Sequence, residues 1–307
     1  MSWLINPYRF GGGGPAGNHP YWEFLALAND YGADAVTGEL IFAATPGGAT
    51  LCVGGSGRTN VGSPGSLDNL FDGNAGTFYR GTLNAWNIDR TRLGYGWGAP
   101  VAPREMRWQS TTNSADNARH CPLGGVVLGS DDETNWHVYA IAPPALPTMS
   151  VGTVRSIVIP PAPIDLPNIR ANARGWRIAV SAINGGWKQA INQLVFAATP
   201  GGATLCTGGG PISSYSRTDA SVFNAFDGNP AGADAGGNTG YYPWRIGYVK
   251  ATPFGAVSEV RITATSTFAP AAFTVDWSVD LWNWTTALSV TGQTGWGSAE
   301  TRSFALP

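Results

Sequence analysis

Charge is scarce in this chain. Only 12% of its 307 residues are Asp, Glu, Lys or Arg, and 18 basic against 20 acidic side chains leave a net charge of −2. No run of Lys or Arg breaks that balance, so the sequence carries no electrostatic footprint for nucleic acid or an anionic membrane. Cysteine is rare too. Cys52, Cys121 and Cys206 make an odd number in a long chain, which is not a disulfide framework. They read as reduced thiols of a protein made in a cytosol, with a Cys52–Cys121 bridge as the alternative. Histidine stops at His19, His120 and His137, and no G-x-S-x-G elbow, H-E-x-x-H or Walker loop is present. Nucleophilic, zinc and phosphoryl-transfer chemistry therefore lack an anchor, and the sequence predicts no catalysis. No apolar run approaches the ~20 residues of a membrane-spanning helix. The first seven residues have neither the basic nor the apolar region of an export signal.

What the chain does have is glycine, proline and aromatics. Gly 42 and Pro 22 together exceed a fifth of the residues, and 13 of the aromatics are Trp. Gly and Pro interrupt helices and punctuate turns, which calls for many short elements. The aromatic area is ample for a packed core and rules out a disordered low-complexity chain. This is an all-β composition.

The chain also repeats itself. Leu40–Cys52 (LIFAATPGGATLC) recurs as Leu194–Cys206 (LVFAATPGGATLC). In the same register Trp22 maps onto Trp176, and Glu105 and Arg107 onto Glu259 and Arg261; one residue further on, Phe71–Asn74 (FDGN) maps onto Phe226–Asn229. Duplication on this scale predicts two copies of one unit. Within each copy short alternating segments, such as Val257–Ala264, are separated by turns, with Thr45–Gly48 and Thr199–Gly202 carrying Pro and Gly where turns need them. Strands at this spacing indicate two β-sandwiches, 20–160 and 174–307, joined by a linker over 161–173. Residues 1–19 precede the repeat.

Four strings in order carry a family resemblance. Phe71–Asn74, Gly94–Val101 (GYGWGAPV), Val127–Trp136 (VLGSDDETNW) and Gly175–Ile178 leading to Leu194–Phe196 resemble the motifs of discoidin domains, also called coagulation factor V/VIII type C domains. The resemblance implies tandem jelly-roll sandwiches of the galactose-binding-like fold. The second copy departs from it: Ser278–Trp284 (SVDLWNW) stands where the GSDD-type hairpin belongs. The chain also begins with the family's last strands, Trp22 to Phe42. Either each copy is a self-contained circular permutant, or the N-terminal strands complete the second copy or another subunit. The TPGG links and the opening Trp3–Phe10 (WLINPYRF) are similar to tail and head-decoration proteins of phages. That likeness implies a virion component made in the host cytoplasm.

The same resemblance implies a structural calcium ion in the first copy, held by Glu39, Asp72, Asn74 and Thr77; in the second, Gln193 replaces the Glu and Pro230–Gly232 displaces the Thr. Sugar faces stack on exposed aromatic rings flanked by polar groups. Tyr79, Arg80, Trp86 and Arg90 in the first copy, and Tyr215, Tyr241, Tyr242 and Trp244 in the second, are the candidate ligand-binding residues. Asp131-Asp132-Glu133 reads as a solvated hairpin tip in preference to a glycosidase carboxylate pair. Trp3, Leu4, Ile5, Tyr8 and Phe10 crowd large apolar side chains ahead of the Gly11–Gly14 hinge, predicting an anchor for another virion protein or a second copy of the chain. The function expected is a non-enzymatic virion protein that attaches to host-surface glycans. The alternatives are a connector or decoration protein without glycan binding, and a bacterial carbohydrate-binding protein.

Overall fold

A computed structural model describes residues 17–28, 34–60, 66–82, 92–145, 149–186, 188–214, 221–232, 234–238 and 243–307. The expected anchor, Trp3 to Phe10, and Gly11–Gly14 lie outside the described residues.

The chain is mostly β-strand, arranged in several antiparallel sheets, with one short α-helix, α1 (Ala115–Arg119), among the described residues. The N-terminal half contains β1 (His19–Ala28), β2 (Asp34–Thr37), β3 (Glu39–Ala43), β4 (Ser56–Thr59), β5 (Tyr79–Thr82), β6 (Arg92–Val101), β7 (Glu105–Gln109), β8 (Gly124–Ser130), β9 (Trp136–Ala142) and β10 (Val154–Val158). The C-terminal half contains β11 (Gly175–Ile183), β12 (Lys188–Ala197), β13 (Gly209–Ser213), β14 (Ala235–Asn238), β15 (Trp244–Lys250), β16 (Glu259–Ala264), β17 (Pro270–Ser278), β18 (Thr285–Val290) and β19 (Glu300–Ala305).

The sheet order β4-β6-β1-β8-β9 is repeated as β13-β15-β11-β17-β18. Opposite it, β10-β7-β3 and the pair β2-β5 correspond to the single sheet β14-β12-β16-β19. The first strand of each half pairs within its own half: Trp22 lies opposite Tyr95 and Gly129, and Trp176 opposite Tyr248 and Trp277. Alternation along these strands builds the cores. Trp22 and Phe24 point into one cluster with Phe42, Trp108 and Tyr139, and Trp176, Ile178 and Val180 into another with Phe196, Trp244 and Phe273. A third apolar cluster contains residues of both halves.

The Glu-x-Arg pair of the repeat has a clear task. Glu105 Oε2 accepts the Gly47 N–H at 2.7 Å and pairs with Arg107, which in turn donates to the Gly48 carbonyl. Glu259 and Arg261 hold Gly201 and Gly202 in the same way. Each TPGG turn is thus clamped to the neighbouring strand.

Strand β1 begins at His19, whose ring is bonded to Asp131 and Tyr139 of the same half. The Cys52–Cys121 bridge is not formed; all three thiols are free and buried. The stretch 161–173 is packed: Ile164 N–H donates to the Val138 carbonyl at 2.7 Å, and Leu166 packs on the C-terminal core.

Candidate functional site

In the C-terminal half β12 runs unbroken, whereas β2 and β3 are separated at Gly38. A Cβ at Gly38 would lie 2.9 Å from Thr111 Cα, so the close backbone approach admits only glycine there. The next residue, Glu39, is buried and reaches the 71–78 loop, where its Oε1 accepts the Asn74 N–H at 2.7 Å. Gly73 turns that loop at φ 76°. Asp72 accepts from Asn74 N–H through Oδ1 at 2.8 Å and from the Thr77 hydroxyl through Oδ2 at 2.7 Å. Asn74 Oδ1 accepts the Gly76 N–H at 3.0 Å. Glu39, Asp72, Asn74 and Thr77 therefore meet in one turn.

The two carboxyls sit in different surroundings. Burial pushes Glu39 up to about 8, and the facing Asp72 adds to the rise, while the Asn74 and Gly73 N–H groups oppose it. Asp72 has only slight burial working to raise it; hydrogen bonds from Thr77, Asn74 N–H and Glu39 outweigh that and hold it below the usual carboxylate range. A neutral Glu39 donating to an ionised Asp72 follows from that contrast. Among the described residues no three or more His, Cys, Asp and Glu side chains converge. The donor set here is two carboxylates with amide, hydroxyl and carbonyl oxygens, which suits a hard cation and no soft one.

The equivalent turn in the other half closes differently. Asp227 Oδ1 accepts the Asn229 N–H at 2.7 Å, as Asp72 does for Asn74. Gln193 replaces Glu39, and its Nε2 donates to the Ala225 carbonyl at 3.0 Å. An amide N–H thus satisfies a backbone oxygen to which an ionised carboxylate cannot donate.

The aromatic candidates separate. Tyr79 is 0% exposed and Trp244 1% exposed, each a member of its half's core, with Trp244 Nε1 donating to Ser213 Oγ at 3.0 Å. Neither ring offers a face to a ligand, which corrects their assignment as stacking platforms. Arg80 is exposed on β5, one residue beyond Tyr79. Trp86, Arg90, Tyr215, Tyr241 and Tyr242 lie outside the described residues.

Two arrangements escaped the sequence reading. The first joins Asp131, His19 and Tyr139: His19 Nδ1 is 2.7 Å from Asp131 Oδ1, and Nε2 is 2.6 Å from the Tyr139 hydroxyl. The order is that of a proton relay, but the hydroxyl at its end is buried and also accepts the Gly17 N–H at 3.1 Å. It ties the chain entering β1 to β9 and presents no reacting atom. Nothing in residue spacing signals it. The second is the hairpin Ser278–Trp284, which is built like Ser130–Trp136 despite the lost motif. Asp132 and Asp280 each accept from the Asn three residues on, backbone and side chain, and Glu133 and Leu281 both take positive φ. The shared signal is S-x-D-x-x-N-W. In the first hairpin these bonds, led by the Asn135 N–H, hold Asp132 down at about 2.

No protein-family model, curated protein or solved structure matches this chain.

Proposed function

We propose that the chain is a non-enzymatic virion structural protein, tail-associated or a capsid decoration, built from two tandem discoidin-like jelly-roll modules and serving host-surface attachment. The fold part of this reading is supported by the strand-for-strand repetition of sheet order between the halves. The virion part is supported by the resemblance of the opening segment and the TPGG links.

The observation that carries the binding reading is the convergence of Glu39, Asp72, Asn74 and Thr77 at one loop next to the exposed Arg80. These four residues would hold a calcium ion, with neighbouring carbonyls completing the about six to eight oxygen ligands it takes. The ion would supply the positive charge that two facing carboxyls lack and would stiffen the loop. An ion that binds only the folded chain stabilises it by mass action, by about 3 kcal/mol at a concentration ~100 times its Kd. Calcium should therefore raise the thermal midpoint of the wild-type protein, and Asp72→Ala should abolish the shift. A chelator that leaves the melting curve unmoved sinks the calcium assignment.

A second reading, a connector without glycan binding, is favoured by the burial of Tyr79 and Trp244, which removes two candidate platforms. A glycan array on the intact protein separates the readings: attachment requires a saccharide preference, and a connector shows none.

A further inference from the structure

The third apolar cluster lies between the halves. From the N-terminal half it takes the outer face of β1, β8 and β9, with Leu25, Leu27, Val126 and Leu128 buried. From the C-terminal half it takes Ile212 on β13, Val249 on β15 and Leu281 of the hairpin. None of these seven belongs to either half's own core. Arg92 bridges the seam, its guanidinium 5.3 Å from the Trp136 ring and 5.4 Å from the Trp282 ring. Backbones also touch there, because a Cβ on Gly210 would fall 1.6 Å from the Pro144 carbonyl oxygen. Phe223, from the C-terminal half, packs against the N-terminal core as well as its own.

The strand registers allow each contact residue to be matched to its counterpart in the other half. Leu25 and Val126 are paired as Ala179 and Thr274 are, so Leu25 corresponds to Ala179, Leu27 to Ser181, Val126 to Thr274 and Leu128 to Asp276. In the other direction Ile212 pairs with Gly247 as Arg58 pairs with Gly94. Ile212 therefore corresponds to Arg58, Val249 to Gly96, Leu281 to Glu133 and Phe223 to Asp68. Arg58 and Glu133 form an ion pair with each other. Different surfaces of the two halves meet, so the contact is head-to-tail, a geometry that would propagate if both copies carried both surfaces. At the equivalent positions that face away, small or polar residues stand in place of the large apolar side chains of the seam.

We propose that this seam is a single-use, head-to-tail joint that locks the halves into one rigid pair, and that the small and polar residues at the equivalent outer positions end the stacking at two. The inference rests on the two-module reading above. Any ligand or virion partner then meets both modules in a fixed relation.

The test uses the full chain with a protease recognition sequence inserted after the exposed Asn168. After cleavage, light scattering coupled to size exclusion should give the mass of the uncut chain at micromolar concentration. Gly210→Ala should weaken the association of the cleaved halves at least tenfold, because its methyl group has no room against Pro144. Wild-type halves that separate while each keeps its β-sheet circular dichroism overturn the joint and leave two modules standing. A cleaved chain that unfolds overturns the two-module reading and the joint with it. A mass that grows with concentration after cleavage, beyond that of the uncut chain, overturns the termination at two. A Gly210→Ala variant that holds together as tightly as wild type shows that the close approach is not where the halves meet.

Discussion

Glu39 and Gln193 differ by one atom at equivalent places, and that atom decides how each turn is closed. The Gln193 amide donates to the Ala225 carbonyl at any pH, whereas Glu39 donates to Asp72 only while protonated. The sign of the pH effect follows. Glu39 is raised from its ordinary value of 4.5 to about 8, so between those limits the folded chain binds more protons than the unfolded one. Without calcium, the stability that Glu39 contributes is full below about pH 4.5 and is lost as pH rises through about 8. Denaturant melts across that window, with chelator present, should show the decline, and Glu39→Gln should flatten it. Calcium should reverse the slope, since its binding requires the carboxylate. The Glu-to-Gln difference is visible in the sequence. The burial of Trp244 was legible as well, because Trp244, Ile246 and Tyr248 alternate onto one face of β15 and so belong to the core. Tyr79 was not: β5 is four residues long, and period-two alternation has no length there in which to declare itself.

At the scale of elements, the duplicated 13-residue string marks both TPGG turns, but the partner that holds each turn lies 58 positions away in sequence, beyond any local spacing pattern. Glu105-x-Arg107 and Glu259-x-Arg261 could be seen to repeat; that they clamp the turns required β7 and β16 to be laid beside β3 and β12. Removing a buried acceptor leaves its donors unsatisfied and costs about 1–3 kcal/mol. Glu259→Ala strips Gly201 N–H and Arg261 of their shared partner and should lower the stability of the C-terminal half by that amount in urea melts. Glu259→Gln, which keeps one acceptor for the Gly201 N–H, should recover part of it. The hairpin at Ser278–Trp284 carries a related lesson. Leu281 and Trp282 hide its kinship to Glu133 and Thr134, yet only Ser, Asp, Asn and Trp make the bonds that shape it. The tip positions were free to change from charged to apolar, and that change is what turned a solvated tip into part of the seam.

At the scale of the whole molecule, the seam left a trace in the sequence that a search for repeats passes over. Trp22–Leu27 (WEFLAL) carries large apolar side chains on both faces of its strand, whereas Trp176–Ser181 (WRIAVS) carries them on one. A strand apolar on both sides is covered on both sides, so β1 announced a second contact that β11 lacks. What covers it could not be read, because the covering residues come from three separate elements of the other half. Coupling through such a contact makes the halves unfold together, provided the joint is worth more than a few kcal/mol. Scanning calorimetry should then give one transition for wild type. Val249→Glu tests the coupling cleanly, since Val249 belongs to the seam and to neither half's own core. A carboxylate there is not buried at the several kcal/mol that an unpaired charge costs; opening the seam delivers it to water. The endotherm should therefore split in two, with each half still folded below its own transition. Leu128→Glu, on the opposite wall, should produce the same split, and combining the two should add little, because a joint already open cannot be opened again.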